Sequence, residues 1–242
     1  MAAEFKTLKE EAWEANMEIP KRGLAIYTWG NVSAFDAPRG VFAIKPSGVP
    51  YDKLKAEDLV VVDLDGKIAE GKLNPSSDTE THRVLYLEFV RLAKSGEPAV
   101  KGITHTHSPY AVAFAQAKLP VPVYGTTHAD HGAEEIPCTE FMSEEAVRNN
   151  YELETGRLIV ETFTKQKKNP LHMPMILVAG HGPFTWGKNP AQSVYHAAVL
   201  EEVCKMAYFT LALKPDVKPL PEHIIRKHWE RKHGPNAYYG QS

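Results

Sequence analysis

The hydrophobic positions of this chain follow the periods of both helices and strands. In residues 4–18, Phe5, Leu8, Ala12 and Ala15 stand at helical spacing among charged residues, which predicts an amphipathic helix. Further helices are predicted over 81–93 behind the capping candidates of 76–78, after Pro109, after Ser143, over 189–213, and from Pro221 to Gly234.

Short apolar runs predict strands between these helices. They cover residues 25–33, 41–45, 59–64, 67–69, 99–106 and 175–179. The stretch 119–139 is rich in Pro, Gly and His and is expected to form loop and short strand. Strands interspersed with helices, some joined by hairpins, predict an α/β fold: a mixed sheet with helices on its faces. No repeat or linker interrupts the pattern, so one domain over 1–242 is expected.

Composition narrows the class of protein. The 242 residues are 43% apolar and 24% charged, which is ordinary for a soluble enzyme. A formal charge of −2 argues against a generic nucleic-acid binder. The two cysteines, Cys138 and Cys204, form no Cys-x-x-Cys pair, which fits a reducing compartment. We find no apolar signal core and no run of membrane-spanning length, and we therefore expect a cytoplasmic protein.

Two histidines one residue apart are the first candidate for chemistry. His105 and His107 follow an apolar run, and in a strand residues i and i+2 lie on one face, about 7 Å apart. The pair is either a polar strand end or half of a metal site. His181 follows another apolar run, and three imidazoles with an open position are typical of a catalytic metal.

Small polar loops are the second candidate. They are Trp29–Ser33, Lys45–Gly48 and 74–78, where Ser76 and Ser77 stand at a predicted helix N-terminus. Hydroxyls and free N–H groups favour an anion, although each loop alone is more often a plain turn or cap. A Walker loop and a Gly-x-Gly-x-x-Gly motif are absent, so a phosphate would belong to a small substrate.

Several polar residues keep two interpretations. Asp78 is either a helix cap or an oxygen ligand, and Asp130 is either an Asx-turn residue or a proton-transfer group. His128 and His131 are possible ligands, although loop histidines more often donate hydrogen bonds. The terminal Tyr238 and Tyr239 either cover apolar surface or close over a site. The basic cluster at 226–232 is either a solvated helix face or an anion contact.

Through these motifs, the whole chain resembles the class II aldolase/epimerase family. The resemblance rests on Gly30-Asn-Val-Ser, Lys45-Pro-Ser-Gly, Asn74-Pro-Ser-Ser-Asp-Thr, Ile103-Thr-His-Thr-His-Ser, Gly125-Thr-Thr-His-Ala-Asp, Ala179-Gly-His-Gly, Arg231-Lys-His-Gly and Tyr238-Tyr-Gly-Gln. The Thr-His-Ala-Asp loop and the Tyr-Tyr-Gly-Gln tail resemble the epimerases of the family in particular. The implied fold is a three-layer α/β/α sandwich around a mostly antiparallel sheet.

The resemblance also implies roles for individual residues. His105, His107 and His181 would bind a divalent ion, zinc or else manganese or cobalt, with Asp78 as a fourth contact. The substrate, a small sugar phosphate, would be held by Gly30, Asn31, Ser47, Gly48, Ser76 and Ser77, with His228 and Arg231 of the last helix. Asp130 and Tyr239 would be the acid/base pair, with Tyr239 reaching across a subunit interface of a homotetramer.

The activity implied is interconversion of L-ribulose 5-phosphate and D-xylulose 5-phosphate. The C3–C4 bond would break in a retro-aldol step, and the aldehyde would rotate before the bond reforms with C4 inverted. Two proton-transfer groups are required because the hydroxyl leaves one side and reappears on the other. The expected setting is pentose catabolism, with L-arabinose favoured as the source, although an ascorbate route would use the same catalyst. Neither nucleic acid nor membrane is an expected partner.

Two other functions compete with this one. The first is an aldolase of the same family, such as one acting on L-fuculose 1-phosphate, in which a glutamate follows the Ser-Ser pair; here the residue is the shorter Asp78. The second is a non-enzymatic domain of the kind found in cytoskeletal proteins, which has no need of this set of polar residues. One departure from close relatives is a longer segment at 92–98, outside every named motif.

Overall fold

The computed structural model describes residues 4–93, 98–234 and 237–238. Its helices are α1 (Lys6–Lys21), α2 (Thr79–Ala93), α3 (Pro109–Gln116), α4 (Thr126–Ala129), α5 (Glu144–Lys165), α6 (Pro190–Leu213) and α7 (Glu222–His233). Its strands are β1 (Asn31–Asp36), β2 (Val41–Ile44), β3 (Val60–Asp63), β4 (Ile68–Glu70), β5 (Gly102–His105), β6 (Met175–Val178) and β7 (Gly182–Gly187). None of the described helices combines the length and apolarity needed to cross a membrane.

The strands form one sheet in the order β4-β3-β2-β1-β5-β7-β6. Every neighbouring pair among these strands is antiparallel. A parallel contact occurs outside the named strands, in the isolated bridge between Cys138 and Leu177. The predicted α/β class with a mostly antiparallel sheet is confirmed, and the mixture of strand directions is smaller than the sequence suggested.

Alternation along the strands divides the core between the two faces of the sheet. Ala34 and Ala43 are cross-strand partners on the face covered by α1. Phe35 and Phe42, one residue along, pair on the opposite face, where they pack against Tyr86 of α2. Because successive side chains point to opposite faces, one residue of slippage would exchange the two cores. This register fixes which side of β1 faces α2.

The start of β1 differs from the prediction, which placed the strand over 25–33. The strand begins at Asn31, because Tyr27 and Gly30 adopt positive φ angles of 54° and 73° and turn the preceding segment into a loop. At Gly30 a Cβ atom would lie 2.8 Å from the His105 carbonyl oxygen. Glycine therefore allows this loop to lie directly on the end of β5.

Strand β7 was not predicted at all. Its sequence, Gly-Pro-Phe-Thr-Trp-Gly, begins with two residues that usually signal a turn. It lies between β5 and β6 in the sheet, and all six residues are buried. Long-range pairing on both sides outweighs the local signal. The segment 119–139 likewise contains an unpredicted helical turn, α4, which places Asp130 at its C-terminus.

Candidate metal centre and substrate pocket

Three histidines converge at the ends of adjacent strands. His105 ends β5, His107 follows two residues later, and His181 lies in the turn between β6 and β7. One nitrogen from each ring can be chosen so that all three lie within 4.8 Å of one another. Nε2 of His105 and Nε2 of His107 are 3.0 Å apart. The sheet thus assembles the predicted trio from segments that are distant in sequence.

The protonation of this trio fits metal binding. Burial, followed by the influence of the neighbouring histidines, lowers the pKa of His105 and of His181 to about 3. Burial also lowers the pKa of His107. The rings are therefore neutral at physiological pH, which is the form that ligates a metal.

The orientation of the rings leads to the same conclusion. Nδ1 of His105 lies 2.9 Å from the Pro183 carbonyl oxygen, to which it donates, so Nε2 carries the lone pair. The His105 ring stacks on Phe184 at 4.3 Å. Nδ1 of His181 is buried and has no hydrogen-bond partner among the described residues. These observations fit a divalent cation held by the three rings.

Asp78 lies beside the trio without joining it. Its Oδ2 accepts a 2.6 Å hydrogen bond from Nδ2 of Asn31. Its charge opposes the lowering of the pKa of His107 and His181 by burial. Among the described residues, however, the ligand atoms that converge are those of the three histidines, and the Asp78 carboxylate is not one of them. A role for Asp78 as the fourth ligand stays a prediction.

The anion loops meet in one pocket of about 510 Å³ next to the trio. All six residues expected to hold the substrate line it, and so do Asp78 and His107: the six are Gly30, Asn31, Ser47, Gly48, Ser76 and Ser77. Backbone hydrogen bonds join the loops, since Ser47 N–H donates to Asn74 and Ser76 N–H donates to Lys45. Nδ2 of Asn31 also reaches Oγ of Ser76 at 3.1 Å.

Lys45 also lines the pocket; the sequence places it in an anion loop but gives its side chain no role. This residue is only 2% exposed, and its Nζ donates to the Thr28 carbonyl at 3.2 Å. Burial lowers its pKa to about 8. An amine of this kind favours an anionic ligand, because a phosphate would restore its lost solvation. The available signal was a lysine at the end of an apolar strand, directly before a Ser-Gly turn.

A second unpredicted feature lies behind the trio. His82 of α2 is fully buried, and its Nδ1 is 2.7 Å from Oγ of Ser33, which in turn bonds the Tyr86 hydroxyl at 2.7 Å. The His82 ring contacts Phe184, the residue on which His105 stacks. These contacts tie α2 to β1 and so place Asp78 next to the pocket. His82 gave no signal in the sequence.

Asp130 lies away from the histidine trio and the substrate pocket. Its Oδ1 and Oδ2 accept hydrogen bonds of 3.0 and 2.6 Å from Arg231, and Nδ1 of His228 lies 3.0 Å from Oδ1. It lines a cavity of about 320 Å³ that shares no described lining residue with the substrate pocket. Within one chain, the structure therefore separates Asp130, His228 and Arg231 from the histidine trio.

The remaining predicted residues have local partners or lie outside the described part. Nε2 of His128 bonds the Glu134 carbonyl, and Nε2 of His131 is 2.7 Å from the Tyr195 hydroxyl, so neither joins the trio. Tyr239 falls outside the described residues, as do residues 94–97 of the longer segment. Tyr238 is described, and its N–H donates to the Arg231 carbonyl at 3.0 Å.

Comparison with known proteins defines the class to which this fold and site belong. Residues 10–208 match the family model described as the Class II Aldolase and Adducin N-terminal domain. The chain belongs to this family, which confirms the resemblance drawn from its motifs.

Named relatives narrow the comparison. The chain is 49% identical to "L-ribulose-5-phosphate 4-epimerase UlaF" of Salmonella paratyphi A (strain ATCC 9150 / SARB42), over 98% of this chain and 100% of that protein. It is 50% identical to the protein of the same name in Salmonella choleraesuis (strain SC-B67), with the same coverage. A solved "L-fuculose 1-phosphate aldolase" superposes with a TM-score of 0.74 at 22% identity, covering 96% of this chain and 97% of that one. At that identity the likeness shows the fold alone.

Replacing His107 by Gln should remove the bound metal. His107 is half-buried, so the variant is expected to fold, and loss of one of three nitrogen ligands weakens a site sharply. After reconstitution with zinc and dialysis, metal analysis should give about one ion per wild-type chain and far less in the variant. The exposed His223→Gln variant is the control and should match the wild type. Full metal content in His107→Gln would show that the trio does not hold the ion.

Replacing Lys45 by Met should weaken binding of inorganic phosphate by about 10- to 100-fold, the effect of losing one hydrogen bond to a charged group. The wild-type affinity should also fall as the pH rises through about 8, because Lys45 is charged only below its pKa. Calorimetric titration between pH 7 and 9.5 measures both effects.

The exposed Lys53→Met variant controls for the loss of one positive charge, and it should bind like the wild type. In Lys45→Met the fall in affinity near pH 8 should be absent. An unchanged pH dependence in that variant would assign it to another group and exclude Lys45 as the phosphate contact.

Proposed function

We propose that this protein is a metal-dependent L-ribulose-5-phosphate 4-epimerase that interconverts L-ribulose 5-phosphate and D-xylulose 5-phosphate. The observation that carries the proposal is the single pocket in which the anion loops and His107 lie side by side. Such a pocket holds a phosphate at one end and presents the sugar oxygens to the histidine trio at the other. The near full-length relatives of that name support the choice of substrate.

The phosphate end is built for a dianion. Lys45 supplies a positive charge, Ser47 and Ser76 supply hydroxyls, and Gly48 lets the backbone come close. These groups come from loops joined by main-chain hydrogen bonds, so they are preorganised before substrate arrives. They fix the position of the reacting carbons without taking part in bond cleavage.

The histidine trio defines the electrophilic end. The three rings would hold a divalent ion, with zinc as our proposal over manganese or cobalt, and such an ion would supply Lewis-acid stabilisation of the charge that develops when C3–C4 breaks. The trio itself holds three neutral donors in fixed directions, because His105 is bonded to Pro183 and stacked on Phe184. Phe184 also excludes water from the back of the site.

Proton transfer is the part assigned to Asp130 and Tyr239. One group accepts the C4 hydroxyl proton as the C3–C4 electron pair moves toward the carbonyl. After the aldehyde presents its other face, the bond reforms, and the second group returns a proton to the same oxygen. Asp130 is held ionised by Arg231 and His228, which fits it to accept a proton.

A homotetramer that shares its sites between subunits accounts for the separation of these groups. In one chain Asp130 and His107 line different cavities, so we propose that Asp130 and the C-terminal segment serve the pocket of a neighbour. The loop before β1 exposes three large apolar side chains, Ile26, Tyr27 and Trp29, each by more than half. Exposed apolar groups of this kind are typical of a protein interface. A cytoplasmic location and a role in pentose catabolism, with L-arabinose or ascorbate as the source, complete the proposal as predictions.

The alternative of an aldolase that releases its aldehyde is less consistent with the pocket. Asp78, the carboxylate after the Ser-Ser pair, is engaged by Asn31 at 2.6 Å. It is also shorter than the glutamate expected there. Asp78 is thus better placed to hold the pocket together than to exchange protons with a substrate.

The direct test is incubation of the zinc-loaded protein with L-ribulose 5-phosphate, followed by stereochemical analysis of the pentulose phosphates. We expect D-xylulose 5-phosphate to accumulate to an equilibrium mixture without free glycolaldehyde phosphate. Release of glycolaldehyde phosphate and dihydroxyacetone, with no D-xylulose 5-phosphate, would establish an aldolase instead. Asp130→Asn should slow turnover at least 100-fold, the low end for a proton-transfer group, and should keep its metal.

Co-assembly of two inactive variants tests the shared site. In a tetramer mixed from His107→Gln and Asp130→Asn chains, some interfaces combine an intact trio with an intact Asp130. Random assembly should restore roughly a quarter of the wild-type activity if both halves of a site come from different subunits. No recovery after verified mixing would place both residues of a working site in the same chain.

A further inference from the structure

Helix α7 is attached to the body of the chain mainly through polar groups. None of its residues is buried, although Trp229 and Ile225 are half-covered. Its principal neighbour among the described elements is the single turn of α4, which ends at Asp130. A short helix without a buried apolar face is not stable by itself in water. The contacts at Asp130 therefore contribute to holding α7 in place.

Arg231 makes the strongest of these contacts. Its Nε and terminal nitrogen reach the two carboxylate oxygens of Asp130 at 3.0 and 2.6 Å, in the bidentate geometry that guanidinium and carboxylate favour. Asp130 is only 8% exposed. His228 adds a bond of 3.0 Å to Oδ1, and Nε2 of His233 lies 3.0 Å from the main-chain oxygen of Asp130. Both carboxylate oxygens are thus fixed in direction.

The backbone of Arg231 makes a second connection. Its carbonyl accepts the N–H of Tyr238 at 3.0 Å, and Nζ of Lys227 lies 5.3 Å above the Tyr238 ring. The chain therefore folds back onto α7 one residue before Tyr239. One residue holds Asp130 with its side chain and the C-terminal segment with its main chain.

We propose that Arg231 is a positioning residue that orients Asp130 for proton transfer and couples it to Tyr238. Arg231 is thereby not a ligand of the substrate phosphate. The proposal rests on the proposed function, in which Asp130 exchanges protons with the C4 hydroxyl. The phosphate has its own donors in the other cavity, and the Arg231 fork is directed at Asp130.

The charges around Asp130 agree with this geometry. Burial alone would raise the pKa of Asp130, but the hydrogen bonds from Arg231 and His228 and the charge of Lys232 outweigh it and lower the pKa below its usual range. The titratable and charged groups facing this carboxylate or lining its cavity are His131 of the α4 turn, His172, Lys188 after β7, Tyr195 and His196 of α6, and His228, Arg231, Lys232 and His233 of α7. Removing Arg231 takes away one of the contacts that lower the pKa of Asp130. The effect of burial, which raises this pKa, is then larger, so the pKa of Asp130 should rise.

The test compares Arg231→Gln with Arg231→Lys, and Arg226→Gln serves as the matched control. Arg226 lies on the same helix, is exposed, and has Glu222 at 4.0 Å. In Arg231→Gln we expect kcat to fall about 100-fold, the low end for a misplaced proton-transfer group, while KM changes little. The acid limb of the kcat profile should move to higher pH, since Asp130 must be ionised to accept a proton.

Arg231→Lys should recover part of kcat and of the pH profile, because it restores the charge without the bidentate fork. Arg226→Gln should match the wild type throughout. A rise in KM with kcat and pH profile unchanged would make Arg231 a substrate ligand and overturn the proposal. Wild-type behaviour of Arg231→Gln would overturn it as well.

A measurement independent of turnover separates this proposal from the proposed function. Hydrogen exchange of the amides of α7 should accelerate in Arg231→Gln and in Asp130→Asn, and the double variant should exchange no faster than the faster single variant. If the wild type fails to epimerise while this coupling is seen, the contact between Arg231 and Asp130 exists and the proposed reaction is wrong. If exchange in α7 is unchanged in both variants, the proposed role of Arg231 is refuted whatever the reaction.

Discussion

The antiparallel pairing of β5 with β7 is the interaction on which the rest of the site depends. It opposes His105 to Phe184 across the two strands, and the turn that leads into β7 carries His181 to the same end. Two imidazoles that are neutral because they are buried then face a third, and an apolar ring closes the back of the group. Loss of this register would scatter the trio, because His181 is far from His105 and His107 along the chain and only the strand pairing brings them together.

The same sheet explains why the substrate pocket and Asp130 lie in different parts of the molecule. One pocket loop leads into β1 and another follows β2, and a hydrogen bond between Ser33 and His82 holds α2 against β1. Asp130, by contrast, belongs to the turn α4 and is directed toward α7 rather than toward the strand ends. In the proposed function, the groups assigned to substrate and metal binding lie at the strand ends, and the described group assigned to proton transfer, Asp130, lies beside a peripheral helix. Such a division gives a reason for subunits to assemble.

The sequence predicted the parts of the site that depend on residue type and short spacing. His105 and His107 stand on one strand end, and the Ser-Ser pair stands at a helix N-terminus, so local pattern was sufficient. The roles of Lys45 and His82 were missed because their importance comes from burial, which depends on segments far away in the chain. Strand β7 was missed because Gly182 and Pro183 resemble a turn, and only pairing with β5 and β6 makes them strand. The early start assigned to β1 failed for a related reason, since Ile26, Tyr27 and Trp29 are exposed instead of buried.

Gly30 brings the phosphate loop into main-chain contact with the residue that begins the metal site, because any Cβ there would lie 2.8 Å from the His105 carbonyl. The separation between the anion loops and the histidine trio is therefore set by backbone atoms, not by side chains that can swing. A pocket of fixed length discriminates substrates by how many carbon atoms separate the phosphate from the oxygens that meet the trio. In the proposed function, the preference of this site for one sugar phosphate over a shorter or longer one would then depend on a glycine rather than on a side chain.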